Sequence, residues 1–284
     1  MLEIKHRETG EVLISIDAET LVAADLRDMR LEGADLSNRD LSGIKLQFAD
    51  LVDADLSGSN LQGAYLNGAH LNGANLSGSD LSGAKLGADQ QASAAMLANC
   101  NLSRAKLTRA DLRHVEMRSC NLEGASLHRA DLRGADLSHA NLANIEACHA
   151  LFIKANLREA NLRGANLCDS HLNDANMIKA DLRNTRLESQ TEDGFTVINL
   201  ANLEGANLSG ARMRNISAED TSMKHADLSN ADLSNAVLGG AILRSANVAG
   251  ANFEGVELAT VAMEFANFSL ALNAHIPSYK TNLR

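Results

Sequence analysis

Four residues spaced twenty apart, His128, Cys148, Cys168 and Glu188, carry the side chains most suited to chemistry in this sequence. Arg129, His149 and Asp169 directly follow the first three. Imidazole, thiolate and carboxylate are the ligand set of zinc, and two thiols are the raw material of a disulfide. Which is realised depends on whether a spacing of twenty brings these side chains together and how they then point. No other segment has the pattern of a reactive centre. There is no Gly-x-Ser-x-Gly nucleophile turn, no phosphate loop and no His-Glu-x-x-His helix. The nine His are scattered and read as exposed polar positions.

The element that sets the spacing is a repeat of five. Leu or a similar residue stands at every fifth position from Leu21 to Leu86, then, one residue out of phase, from Leu97 to Leu187, and again from Ile198 to Phe268. Only Ala147 and Ala218 interrupt it. Ala recurs two places before the Leu, as in GADLS from Gly33 and GANLSGSDLSGAKL from Gly73. On an α-helix, residues five apart are rotated by roughly 140° and would smear around the cylinder, which excludes an amphipathic helix. In an extended chain, residues two apart share a side, so Ala and Leu both point inward before the chain turns. Gly, Asn and Ser recur two places after the Leu, where a tight corner needs them. Four corners close a coil of twenty residues, and successive coils pair as parallel strands with Leu stacked on Leu.

The tandem A(D/N)LXX pattern over residues 19–270 resembles the pentapeptide-repeat family. The resemblance implies an all-β fold, a right-handed quadrilateral parallel β-helix. At a strand spacing of roughly 4.8 Å, about 12 to 13 coils make a solenoid on the order of 60 Å long. Short terminal caps are expected at 1–18 and 271–284, because a solenoid exposes its core at its ends. Leu2, Ile4, Val12, Ile14 and Ile16 alternate around a polar turn, as a capping hairpin would. The irregular segments 87–96 and 188–197 are read as bulges of one net residue each, on one face, with Glu192 and Asp193 projecting from the second.

Composition bounds the function. Among 284 residues there are one Pro, six Phe, two Tyr and no Trp, so narrow aliphatic ladders must fill the interior. A net charge of −10 argues against direct nucleic-acid or membrane binding. The N-terminus reads as neither signal peptide nor membrane span, which points to a cytoplasmic protein with reduced thiols. Parallel side chains on a flat ladder do not converge, so the His/Cys column is expected to hold no metal, and no cofactor is implied. A Cys148–Cys168 disulfide stays as an alternative to chance surface placement.

Two further columns stand out. The inward position two before the Leu reads Glu19, Arg39, Ser59, Ser79, Cys100 and Cys120, with Glu19 and Arg39 expected to pair and the two Cys to serve as small core residues. Between residues 97 and 187 there are 13 basic against 10 acidic residues, a net of +3. Arg109 with Arg129, Arg113 with Arg133 and Arg163 with Arg183 are stacked there, with Asp111, Glu116, Asp131 and Asp136 nearby to compensate. This band, with Leu151 and Ile153 as an apolar spot beside Phe152, is the candidate interaction surface for an acidic protein partner. Phe253, Phe265 and Phe268 form either a capped terminus or a homodimer contact through the last coils.

Catalysis is not expected, because the inward positions are apolar and a solenoid of flat faces offers no pocket. The reading is a non-enzymatic protein-binding or scaffold protein. The alternative comes from the resemblance: family members that confer quinolone resistance or toxin immunity bind type II topoisomerases as acidic mimics of duplex DNA. A basic centre departs from that pattern.

Overall fold

The backbone bends every five residues for the reason the sequence suggests. A computed structural model describes residues 1–189 and 194–280. In nearly every pentad the residue two after the central Leu has a positive φ, as at Asn38 (54°), Arg109 (58°) and Asn230 (58°). The residue that follows donates its N–H to the Leu carbonyl, as Ala24 does to Leu21 at 3.1 Å. One left-handed residue in the third place with that bond is the mark of a type II turn. The remaining backbone groups pair with neighbouring coils: Leu26 N–H reaches Lys45 O at 2.8 Å, and Lys45 N–H reaches Ala24 O at 2.9 Å. Parallel bridges therefore link residues twenty apart, such as Asp25 with Lys45 and Asp55 with Asn75.

The chain divides into two compact units, Met1–Leu142 and Ala143–Arg284. The first opens with strands β1 (Leu2–Lys5) and β2 (Val12–Ile16), paired antiparallel. Asp35 N–H donates to Lys5 O and Arg7 N–H to Gly33 O, both at 2.8 Å, so the hairpin occupies the open edge of the first coil and buries Ile4. The His6 ring lies against Gly33, where a Cβ would come within 2.3 Å of it. Leu31, Leu51, Leu71 and Leu97 form one of the fully buried ladders.

Register shows what the first irregular segment is. His70 bridges Met96 and Lys85 bridges Asp111, a separation of 26. Six residues are therefore inserted into one coil, not one. Ala95 N–H closes the insertion on Leu86 O at 2.8 Å, and a 3₁₀ turn, Gln91–Ser93, lies within it. Gly87 starts it with no side chain because a Cβ there would sit 2.4 Å from the backbone nitrogen of Arg113. The second segment does the same in its own unit, with His171 bridged to Val197 and Arg186 to Arg212. A register of 26 removes the arithmetic that placed both segments on one face. Glu192 and Asp193 lie outside the described residues.

The same correction moves the polar inward column. Lys106 N–H bonds Ser79 O, so Ser79 is followed by Ala105, whereas Asn101 N–H bonds Ala74 O, so Cys100 and Cys120 continue an Ala column. Ser59 and Ser79 are buried because each hydroxyl donates to the carbonyl three residues back, at 2.6 Å. The Cys100 and Cys120 thiols donate instead to carbonyls of the preceding coil, Leu71 O and Leu97 O. The Cys120 thiol beside it, together with burial, pushes the Cys100 thiol far up, and it stays protonated. Glu19 is exposed and makes no ion pair with the half-buried Arg39. The expected buried pair does not form.

At the far end, Phe253 is fully buried with its ring centroid 5.5 Å from that of the half-buried Phe268, whereas Phe265 is 77% exposed. The last described turn, Ser278–Lys280, reaches back over this edge: Tyr279 Oη donates to Ala259 O at 3.1 Å and Lys280 Nζ to Val261 O at 2.7 Å. Of the three Phe, only Phe265 is free to touch another molecule. Phe253 is interior because its position carries the Leu of an ordinary pentad.

Candidate interaction surface

The four candidate arginines of the basic band fall into two groups, separated by where they stand in the pentad: Arg113 and Arg133 directly follow the Leu, and Arg109 and Arg129 stand at the corner two after it. In Asp111-Leu112-Arg113 and Asp131-Leu132-Arg133, Asp and Arg flank the inward Leu and project from the same side of the extended segment. Asp111 accepts from the Arg113 backbone N–H at 3.1 Å and from its Nε and Nη2 at 2.9 Å. Arg113 also holds Asp89 of the insertion at 2.5 Å. Asp131 holds Arg133 at 2.6 Å, and Arg118 holds Asp136 at 2.6 Å. Asp25 with Arg27 and Asp181 with Arg183 repeat the clamp.

The clamps at Asp25, Asp111 and Asp181 depress their carboxyls. The Arg27 hydrogen bond brings Asp25 down to about 2, and that of Arg183 lowers Asp181. Burial would raise Asp111, yet the bonds and charge of Arg113 leave it below its ordinary value. A carboxyl lower in the folded than in the unfolded chain adds stability that is complete above the unfolded value, 3.8 for Asp25, and is lost as pH falls toward about 2. Thermal melting at a series of pH values is expected to show a falling melting temperature across that window. The triple variant Asp25→Asn/Asp111→Asn/Asp181→Asn is expected to show a shallower fall, and equal slopes would count against the clamps.

Arg109 and Arg129 are different. Lys106 and Ser126 stand where the other units have Asp. Both arginines are exposed, stacked on adjacent coils through Arg109 N–H to His128 O at 2.9 Å, and neither makes an ion pair among the described residues. With Ser82, Gly83, Thr108 and His128 they line a shallow depression. The four candidate arginines thus lie in one unit but only two carry uncompensated charge. Leu151 and Ile153 belong to the other unit and are half-buried on either side of the fully buried Phe152, not an exposed apolar spot.

The His/Cys column is sunk, not superficial. Cys148 and Cys168 are 7% and 2% exposed and form a disulfide across adjacent coils, with Cα atoms 4.7 Å apart. Parallel pairing sets that distance, within the range a disulfide spans without backbone movement. The reading of these residues as chance surface thiols is therefore overturned. His149 Nε2 lies 4.0 Å from Asp169, and Glu188, 6% exposed, is held by Arg212 and, at 3.8 Å, by Arg186. Among the described residues no group of three or more His, Cys, Asp or Glu is placed to hold a metal ion.

One feature was not expected from the sequence. Phe48 occupies a corner position with φ 58° and lies 55% exposed over Gly68. It lines a small cleft beneath the first insertion with His70, Met96, His114, Glu116 and Gln91. The available signal was a bulky Phe where a corner ordinarily has Gly, Asn or Asp.

Among the described residues no helix is long and apolar enough to cross a membrane. The sequence matches the family profile described as pentapeptide repeats in eight copies, among them those over 20–58, 49–87, 91–124, 107–146, 150–188, 201–240 and 221–259. Solved structures similar to it include HetL, a pentapeptide repeat protein involved in heterocyst differentiation regulation in the cyanobacterium Nostoc, at 29% identity over 82% of this chain and 86% of that one, with a TM-score of 0.35. QnrB1, a plasmid-mediated fluoroquinolone resistance protein, is 17% identical over 82% and 88% of the two chains, with a TM-score of 0.36. A pentapeptide repeat protein of the Arabidopsis thaliana thylakoid lumen is 26% identical over 46% and 70%, with a TM-score of 0.24. No curated protein matches the chain.

Proposed function

Because the chain belongs to the pentapeptide-repeat family, we propose that it is a right-handed quadrilateral β-helix that acts without catalysis, as a scaffold presenting its outward ladders to a protein partner. The observation that supports this reading most is the uncompensated pair Arg109 and Arg129, stacked on adjacent coils in a band where Arg113, Arg118 and Arg133 are clamped. Clamped charge gains little from a partner, since its field is already spent within the coil, whereas free guanidinium groups gain new hydrogen bonds and charge pairing. The partner is accordingly acidic. The test is affinity capture from native extract with the wild-type chain and with Arg109→Glu/Arg129→Glu. The variant is expected to lose the partner while keeping its melting temperature, and unchanged capture would retire the surface. Reversal of Arg113 and Arg133 is a poorer test, because it breaks the clamps as well.

A DNA-mimic role toward a type II topoisomerase is the alternative reading, supported by the net charge of −10. A gyrase supercoiling assay with and without a fluoroquinolone decides it, since inhibition or protection is expected only of a mimic. A homodimer through the last coils belongs to the same proposal and rests on Phe265 and Leu270, 77% and 84% exposed. Light scattering is expected to give a dimer mass that falls to monomer in Phe265→Asp/Leu270→Asp; a monomeric wild-type chain would end the idea. A cytoplasmic setting is also part of this reading, and the disulfide is the observation that bears against it.

A further inference from the structure

We propose that Arg109 and Arg129 form a binding site for a single phosphomonoester dianion carried on a protein side chain; this rests on the protein-binding reading above and names the chemistry of the partner. The two arginines share one backbone conformation, φ 58° and 57°, on adjacent coils, so their side chains leave the solenoid side by side. Strand spacing puts their origins roughly 4.8 Å apart. On the coil before Arg109, Gly83 follows Ser82, and a Cβ built there would meet nothing within 4 Å, so that side of the depression is open to an incoming group. The Thr108 hydroxyl lies 3.4 Å from that of Ser126, and with His128 these supply further polar groups beside the two cations.

The carboxylates that would otherwise neutralise this pair are engaged elsewhere. Asp80 is held by Gln62 at 2.9 Å, by the Ser82 N–H at 3.0 Å and by Lys106 at 3.8 Å. Asp111 and Asp131 are bonded to Arg113 and Arg133. Two stacked positive charges without counterions match a group with close to two negative charges and three acceptor oxygens, which can be divided between two guanidinium forks. A carboxylate has one charge and two oxygens and satisfies one fork. A row of carboxylates on an extended peptide running along the column repeats at about 6.7 Å and drifts out of register with a ladder of roughly 4.8 Å. The depression is too shallow to enclose a free anion, so the remaining contacts must come from the chain that carries the phosphate.

The probes are a capped Ala-Ala-phosphoserine-Ala-Ala peptide, its Ser and Glu counterparts, and inorganic phosphate, each titrated calorimetrically into the full chain at low salt. Saturable binding of the phosphopeptide is expected, with the Glu peptide and inorganic phosphate roughly tenfold weaker or more and the Ser peptide silent. Arg109→Gln/Arg129→Gln is expected to abolish binding, whereas Arg27→Gln, at a clamped arginine that does not line the depression, leaves it intact. No binding by the wild-type chain, equal binding by the double variant, or equal affinity for the Glu peptide overturns the proposal. Inorganic phosphate binding as tightly as the phosphopeptide overturns the protein-borne source. A captured partner that binds equally well after phosphatase treatment overturns it too, while leaving the protein-binding reading in place.

Discussion

Reduction of the Cys148–Cys168 bridge, or its replacement by Cys148→Ser/Cys168→Ser, is expected to destabilise the second unit by about 3 kcal/mol. The bridge closes a loop of sequence separation 20, and the figure follows from the conformational freedom that such a cross-link removes from the unfolded chain. Native-state strain, the usual reason engineered bridges deliver less, is avoided here because parallel pairing already places the two Cα atoms 4.7 Å apart. The check is thermal melting with and without a phosphine reductant, followed by intact mass under non-reducing conditions. A melting temperature indifferent to reductant would show that the bridge contributes nothing. Cys100 and Cys120 provide an internal control. They are also twenty apart, but they are about 1% exposed and donate to backbone carbonyls, so alkylation of the native chain is expected to leave both unlabelled.

That contrast shows where the sequence was legible. A period of five names which side chains point inward, and Leu36, Leu56 and Leu76 are indeed fully buried with Ala34, Ala54 and Ala74 beside them. It also names the corners, because a residue such as Asn38 or Gly58 tolerates the left-handed backbone that closes a turn. What a period of five cannot reveal is how many pentads an irregular segment loops out. Insertions of one and of six residues leave the same phase, and only the pairing of His70 with Met96 distinguishes them. Every column drawn through the first insertion was therefore shifted by one pentad, which is why Cys100 was stacked on Ser79 rather than on Ala74.

The candidate surface was legible to a different depth. Compensation of Arg113 by Asp111 follows from two residues flanking one inward Leu. Arg109 and Arg129 fall outside that rule, because they stand at the corner two after the Leu, with Thr108 and His128 in the flanking place and Lys106 and Ser126 where Asp would be. Burial at the position after the Leu was not legible. That position is outward in most pentads, yet Cys148, Cys168 and Glu188 are covered there by their neighbours along the ladder. Side-chain bridging between coils draws such residues against the backbone, an effect of stacking that no single pentad contains.

Phe152→Ala is expected to be the most damaging substitution in the second unit, at about 3 to 5 kcal/mol. Phe152 is fully buried in a ladder where Leu172 is its neighbour on the next coil, through Phe152 N–H to His171 O at 2.7 Å. Backbone hydrogen bonds on both edges fix the distance between coils, so the walls cannot collapse into the space the ring leaves. Phe152→Leu restores the residue that the repeat ordinarily has and is expected to cost about 1 kcal/mol. The pair separates cavity formation from any specific need for an aromatic ring. Because each coil rests only on its neighbours, the loss in Phe152→Ala is concentrated at one layer, and denaturant unfolding is expected to broaden as the coils on either side uncouple. Equal destabilisation by Leu and Ala would mean that the ring is recognised for its shape, and that the ladder tolerates less exchange than a repeating core implies.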